Sequence, residues 1–132
     1  MRLVAQMSAV VEDRAVRILI VDDEPTIGRV MLNYLSKRNY LVEFVSSGLA
    51  ALDSYARQRP DVVLADVMMP EMDGYELFEE LKRRDPSVNL YFVTAQVESN
   101  VCPRANGVLH KPFGFSQLDA LVASALIPNT PR

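Results

Sequence analysis

The sequence predicts an α/β fold, a doubly wound five-stranded parallel sheet in the order 2-1-3-4-5 with helices on both faces, and three observations carry that expectation. Short β-branched runs alternate along the chain with stretches of helical apolar period. Runs such as Arg17–Val21 and Val62–Ala65 are almost continuously apolar, as strands covered on both faces must be. Both stop abruptly at an acid, and the residues that follow, Pro25 in one case and Pro70 to Gly74 in the other, mark turns into helices. Strands joined in this way through helices make right-handed crossovers in a parallel sheet.

The elements follow in order. Arg17–Val21 is the first strand, and Asp22-Asp23-Glu24-Pro25 opens a helix with Ile27, Val30, Met31, Tyr34 and Leu35 on one face. Residues 40–45 alternate partly and read as the second strand, after which Ser47 caps a helix carrying Leu49, Leu52, Tyr55 and Ala56 that Pro60 stops. Val62–Ala65 is the third strand, and the helix after its loop carries Tyr75, Leu77, Phe78 and Leu81 and closes at Asp85-Pro86. Leu90–Thr94 is the fourth. The segment 95–105, with Asn100, Cys102 and Pro103, shows no sustained apolar face, so the fourth helix is expected to be shortened or replaced by a loop. Gly107–His110 is a short fifth strand. Lys111 to Gly114 turn, and Leu118, Leu121, Val122, Ala125 and Leu126 form a last helix with Ser116 as its expected cap.

A chain of 132 residues fits one domain, here residues 16–127, with an extension at 1–15 and a tail at 128–132. In the extension Leu3, Val4, Met7, Val10 and Val11 recur at helical spacing, so an amphipathic helix is one reading and a frayed tail the other. A net charge of −3 gives no general attraction to nucleic acid or anionic membrane, and no stretch is long enough to span a bilayer. One cysteine, Cys102, has no internal disulfide partner, which fits a reducing, cytoplasmic setting.

In the 2-1-3-4-5 order the first and third strands are neighbours, so Asp22, Asp23 and Asp66 converge in the crevice at their carboxyl ends. Crowded carboxylates repel, and the repulsion is relieved either by protonating one of them or by binding a hard dication, for which all-oxygen ligands favour Mg2+. Thr94 and Lys111 end the fourth and fifth strands and face the same crevice. A hydroxyl donor and an ammonium beside a metal-bound carboxylate make a receptacle for a tetrahedral anion, with Asp66 as the nucleophile that forms an aspartyl phosphate.

On these residues the sequence strongly resembles the flavodoxin-like receiver domain of two-component response regulators. The resemblance runs over about residues 17–127 and rests on Asp22-Asp23, on Asp66 with Met69-Pro70 and Asp73-Gly74 behind it, on Thr94-Ala95 and on Lys111-Pro112-Phe113. It implies a signalling protein, not a classical enzyme, in which Asp66 accepts a phosphoryl group from a sensor histidine kinase or phosphotransfer protein and protein contacts switch, with a homodimer or an output protein as further partners. It implies Mg2+ ligation by Asp23, Asp66 and the backbone carbonyl of Met68, with Asp22 acting through water. It implies phosphoryl binding by Lys111 and Thr94 with Ala95, and a cis Lys111-Pro112 bond. Met68 and Gln96 occupy the positions that tune dephosphorylation; neither activates water well, so slow self-dephosphorylation is expected.

Two features depart from the family. The position three before the lysine, usually Tyr or Phe in the family, is Val108, and Thr94 to Lys111 spans 17 positions, short by at least one helical turn of about 3.6 residues. They leave open an interaction module whose output does not depend on phosphorylation. A phosphatase is disfavoured because Met68 stands where such enzymes keep a second acid, and flavin binding is disfavoured by the acidic loop after the first strand. His110 reads as a strand residue, with phosphoacceptor or ligand as its minor reading.

Overall fold

A computed structural model describes residues 10–11, 14–95 and 105–127 of the chain. Two two-residue strands, β1 (Val10–Val11) and β2 (Arg14–Ala15), pair antiparallel ahead of the main sheet. Then follow β3 (Arg17–Val21), α1 (Pro25–Ser36), β4 (Leu41–Val45), α2 (Gly48–Arg57), β5 (Val62–Ala65), α3 (Gly74–Arg84), β6 (Leu90–Thr94), β7 (Gly107–His110) and α4 (Phe115–Ala125). The five long strands are all parallel and lie in the order β4-β3-β5-β6-β7, which is 2-1-3-4-5 counted within the sheet.

Side chains of successive strand residues point to opposite faces, and both faces are covered, which is why the runs are apolar throughout. Leu19, Val21, Val63, Ala65, Leu90 and Phe92 pack against Ala51, Leu52 and Tyr55 of α2 and Leu77, Phe78 and Leu81 of α3. Ile18, Ile20, Val62, Leu64 and Val93 pack on the other side against Met31 and Leu35 of α1 and Leu118 and Val122 of α4. Tyr34 of α1 stacks flat on Phe115 at 4.0 Å and donates to Asp119 at 2.6 Å, which holds α4 beside α1.

Helix starts follow local chemistry. The Ser47 hydroxyl accepts the Ala50 N–H at 3.1 Å, and Asp73 and Glu76 form a reciprocal capping box at 2.9 and 3.0 Å. Each such cap stabilises its helix by about 1 kcal/mol.

Several expectations need correction. α4 begins earlier than Ser116: Gly114 is its N-cap, and the Gln117 side chain accepts the Gly114 N–H at 2.8 Å, so the cap comes from inside the first turn. Val30 and Leu49 are 45% and 59% exposed, since each lies at the margin of a helical stripe wider than the covered face. Val10–Val11 is strand, not helix; residues 1–9 lie outside those described. Tyr40 is buried just ahead of β4 and not within it. Residues 96–104, where the shortened helix or loop is expected, also lie outside, and the described residues hold four α-helices.

The amino ends of the strands are closed by ion pairs. Arg14 grips Asp61 with two bonds of 2.9 and 2.6 Å, and Asp61 also accepts the Arg17 N–H at 2.8 Å. Asp85 accepts from Tyr55 and Arg59, each at 2.6 Å, and from the Ser87 N–H at 3.0 Å.

Candidate functional site

Val21 and Ala65 are paired in the β3–β5 register, so the residues that follow them emerge side by side. The Asp66 N–H donates to the Val21 carbonyl at 2.8 Å, carrying the pairing one residue past the strand. Asp22 is tied on its other side by an N–H bond to the Val45 carbonyl at 3.2 Å. The acid ends of the two central strands are thereby set by backbone bonds before any side chain acts.

The loop after Asp66 is folded back on the strand end. Glu71 takes a left-handed conformation with φ of 67°, and the Gly74 N–H donates to the Val67 carbonyl at 2.8 Å. A Cβ on Gly74 would stand 2.3 Å from the Asp66 carbonyl oxygen and 2.8 Å from the Val67 Cα, so only glycine fits there. The Asp73-Gly74 pair therefore does two separate things: one side chain caps α3, and one missing side chain lets α3 start against the phosphoacceptor candidate's own backbone.

β6 and β7 bring the other half. Thr94 is buried at the end of β6, and the Lys111 N–H donates to its carbonyl at 2.8 Å. The Lys111 ammonium reaches back across the sheet end to Asp22 at 2.8 Å and stands 3.6 Å from Asp66 and 3.8 Å from Glu24. The Lys111-Pro112 bond is cis.

Asp22 and Asp66 are 2% and 6% exposed, while Asp23 is open to solvent. One oxygen from each of the three lies within 4.8 Å of the others. Burial, reinforced by the charge of Asp22, pushes the Asp66 carboxyl up to about 6, against the opposing pull of Lys111 and of the Val67 and Met68 amides. Burial lowers the Lys111 ammonium's affinity for its proton, but the Asp22 bond and charge outweigh that and raise it overall. Three carboxylates at this spacing, all oxygen and partly open, fit a hard dication of the Mg2+ type.

Sequence-predicted residues Asp22, Asp23, Asp66, Thr94 and Lys111 are thus brought together. Ala95 is exposed just past Thr94, and the Met68 side chain is 64% exposed beside Asp66. Val108 is half-buried, opposite Phe92 in the β6–β7 register and packed on the α2–α3 side of the sheet. Gln96 lies outside the described residues. His110 is exposed and is not one of the three clustered acids. Sequence reasoning passed over Glu24 as a neighbour of Lys111; the signal was present as the third acid in the run before Pro25.

The family model described as the response regulator receiver domain matches residues 18–123. The response regulator MprA of a Mycobacterium species, strain KMS, is 35% identical over 123 residues, which cover 88% of this chain and 53% of that protein. The chain spans about half the length of the curated relatives it matches. Among solved structures, the response regulator TrrA of Thermotoga maritima in complex with Mg(2+)-BeF is similar at a TM-score of 0.78 and 27% identity, over 84% of this chain and 99% of that one. The complex of TrrA with the histidine kinase ThkA is similar at a TM-score of 0.77 and 27% identity, over 85% of this chain and 99% of that one.

Proposed function

The chain belongs to the response regulator receiver domain family, and from that premise we propose that it is a signalling receiver switched by phosphorylation of Asp66. The observation that carries this reading is the near-buried Asp66 held 3.6 Å from the Lys111 ammonium within a cluster of three acids. The donor is a phosphohistidine on a sensor kinase or phosphotransfer protein, and the consequence is a change in protein contacts.

Asp23, Asp66 and the Met68 carbonyl would hold Mg2+ directly, with Asp22 acting through water, and the ion would neutralise the acids and draw charge from the transferring phosphoryl oxygens. An Asp66 carboxylate oxygen attacks phosphorus in line. The bond from phosphorus to the donor imidazole nitrogen breaks as the new oxygen–phosphorus bond forms. The imidazole leaves with the bonding pair, neutral when its second nitrogen already carries a proton. Lys111 exchanges its bond to Asp22 for the phosphoryl oxygens, and the Thr94 hydroxyl donates to another of them. Because the Lys111 amide is bonded to the Thr94 carbonyl, these two groups are coupled through backbone as well as through the phosphoryl group. The Met68 side chain offers a departing phosphoryl group's attacking water no hydrogen bond, so the phosphoprotein is long-lived.

Intact-protein mass after incubation with a small phosphodonor tests the reading, with and without Mg2+, on the native chain and on Asp66→Asn. A Mg2+-dependent phosphoryl adduct that is absent in the variant supports it; adduct loss within seconds overturns the slow-hydrolysis part. No adduct in a chain that binds Mg2+ favours an interaction module independent of phosphorylation, a reading that Val108 at the usual aromatic position supports.

A further inference from the structure

We infer that Glu24 is an internal competitor for Lys111, an anion built into the rim that sets how tightly the site holds a phosphoryl group. The inference rests on the receiver reading above and concerns a residue outside the three-acid cluster.

The Glu24 backbone is the N-cap of α1, yet its side chain makes no capping bond. Its N–H donates to the Asp22 Oδ1 at 2.9 Å, which fixes the start of the side chain next to the buried acid. From there the carboxylate, 67% exposed, reaches to 3.8 Å from the Lys111 Nζ. The ammonium thus sits among Asp22 at 2.8 Å, Asp66 at 3.6 Å and Glu24 at 3.8 Å, with its own side chain only 11% exposed.

A dication in the cluster offsets the charges of Asp22, Asp23 and Asp66. Glu24 then remains the carboxylate with an unshared claim on Lys111. A tetrahedral anion on Asp66 needs that same ammonium, and Asp66 and Glu24 stand at nearly equal distances from it. Removing the Glu24 charge therefore frees Lys111 for the anion and takes away a repulsive neighbour. The same change removes a negative charge from the surroundings of the dication. The two ligands respond with opposite sign, which a merely structural cap does not produce, because loss of a cap weakens both together.

The test is calorimetric titration of the native chain, Glu24→Gln and Glu24→Asp, first with Mg2+ and then with beryllofluoride at saturating Mg2+. Glu24→Gln is expected to bind beryllofluoride about two- to fivefold tighter and Mg2+ about twofold weaker, with Glu24→Asp between it and the native chain. The gap narrows at about 0.5 M salt, as a rim charge requires. Unchanged or weaker beryllofluoride binding by Glu24→Gln overturns the inference while leaving the receiver reading intact. A native chain that binds Mg2+ but no beryllofluoride removes the receiver reading and this inference with it.

Discussion

At the amino ends of the strands Asp61 and Asp85 are each matched by an arginine, whereas at the carboxyl ends Asp22, Glu24 and Asp66 share one lysine and Asp23 adds a further acid beside Asp22 and Asp66. Asp61 loses some water on burial, but Arg14 and the Arg17 amide more than compensate and hold its carboxyl below the usual range. Bonds from Arg59 and Tyr55 do the same for Asp85. Asp66 goes the other way, up to about 6. The same residue type is a fastening with a lowered carboxyl where cations match it, and keeps a raised carboxyl where they are in deficit. Stability is given up at one end of the sheet and recovered at the other.

Substitutions separate the two ends. The largest effect belongs to Gly74→Ala, because the new methyl collides with backbone that cannot swing aside; urea unfolding should show a loss of about 3 kcal/mol or more. The folded fraction should also fail to form the phosphoryl adduct, since Asp66 is displaced with its carbonyl. At the other end, Asp61→Ala removes the acceptor of the part-buried Arg17 N–H together with the two-bond ion pair to Arg14, and should cost about 2 kcal/mol with no effect on Mg2+ affinity.

Asp66→Asn should do the reverse and stabilise the apo chain by about 1–2 kcal/mol near pH 7. The sign follows from the raised carboxyl: the folded state prefers Asp66 protonated, so its contribution is most favourable below the unfolded value near 4 and is lost as pH rises through about 6. The variant's advantage should therefore shrink near pH 5, and saturating Mg2+ should raise the native melting temperature much more than the variant's. Asp61 and Asp85, held low, contribute with opposite sign and lose their contribution only as pH falls below about 4. The smallest effect is at Asp53, whose pairing with Arg57 is fully on the surface; Asp53→Ala should move the melting temperature by no more than about 1 °C.

The sheet and the acid cluster were legible because their signals are local. An apolar run that halts at Asp22 or Asp66 states both where a strand ends and what it presents, and neighbouring strands do the rest. The pinning of Arg14 to Asp61 was not legible, since 47 residues separate them and no periodicity links them. Gly74 was legible as the passage from turn to helix and is the first residue of α3, but the reason that only glycine serves is the Asp66 carbonyl just past the preceding strand. Periodicity also places a residue on a helical face without saying where cover ends, which is how Val30 and Leu49 came to be assigned inward. At α4, Ser116 has the better capping chemistry, yet the chain turns at Gly114 because Gln117 supplies the bond from within.

Asp22 and Asp66 hang from β3 and β5, each flanked by strands on both sides, while Lys111 hangs from β7, a four-residue edge strand bonded to β6 alone among the described strands. The site is a vice with one stiff jaw and one compliant jaw. A load applied between them is carried by two neighbouring strands on one side and by a single described neighbour on the other, so the β7 side is the first to give.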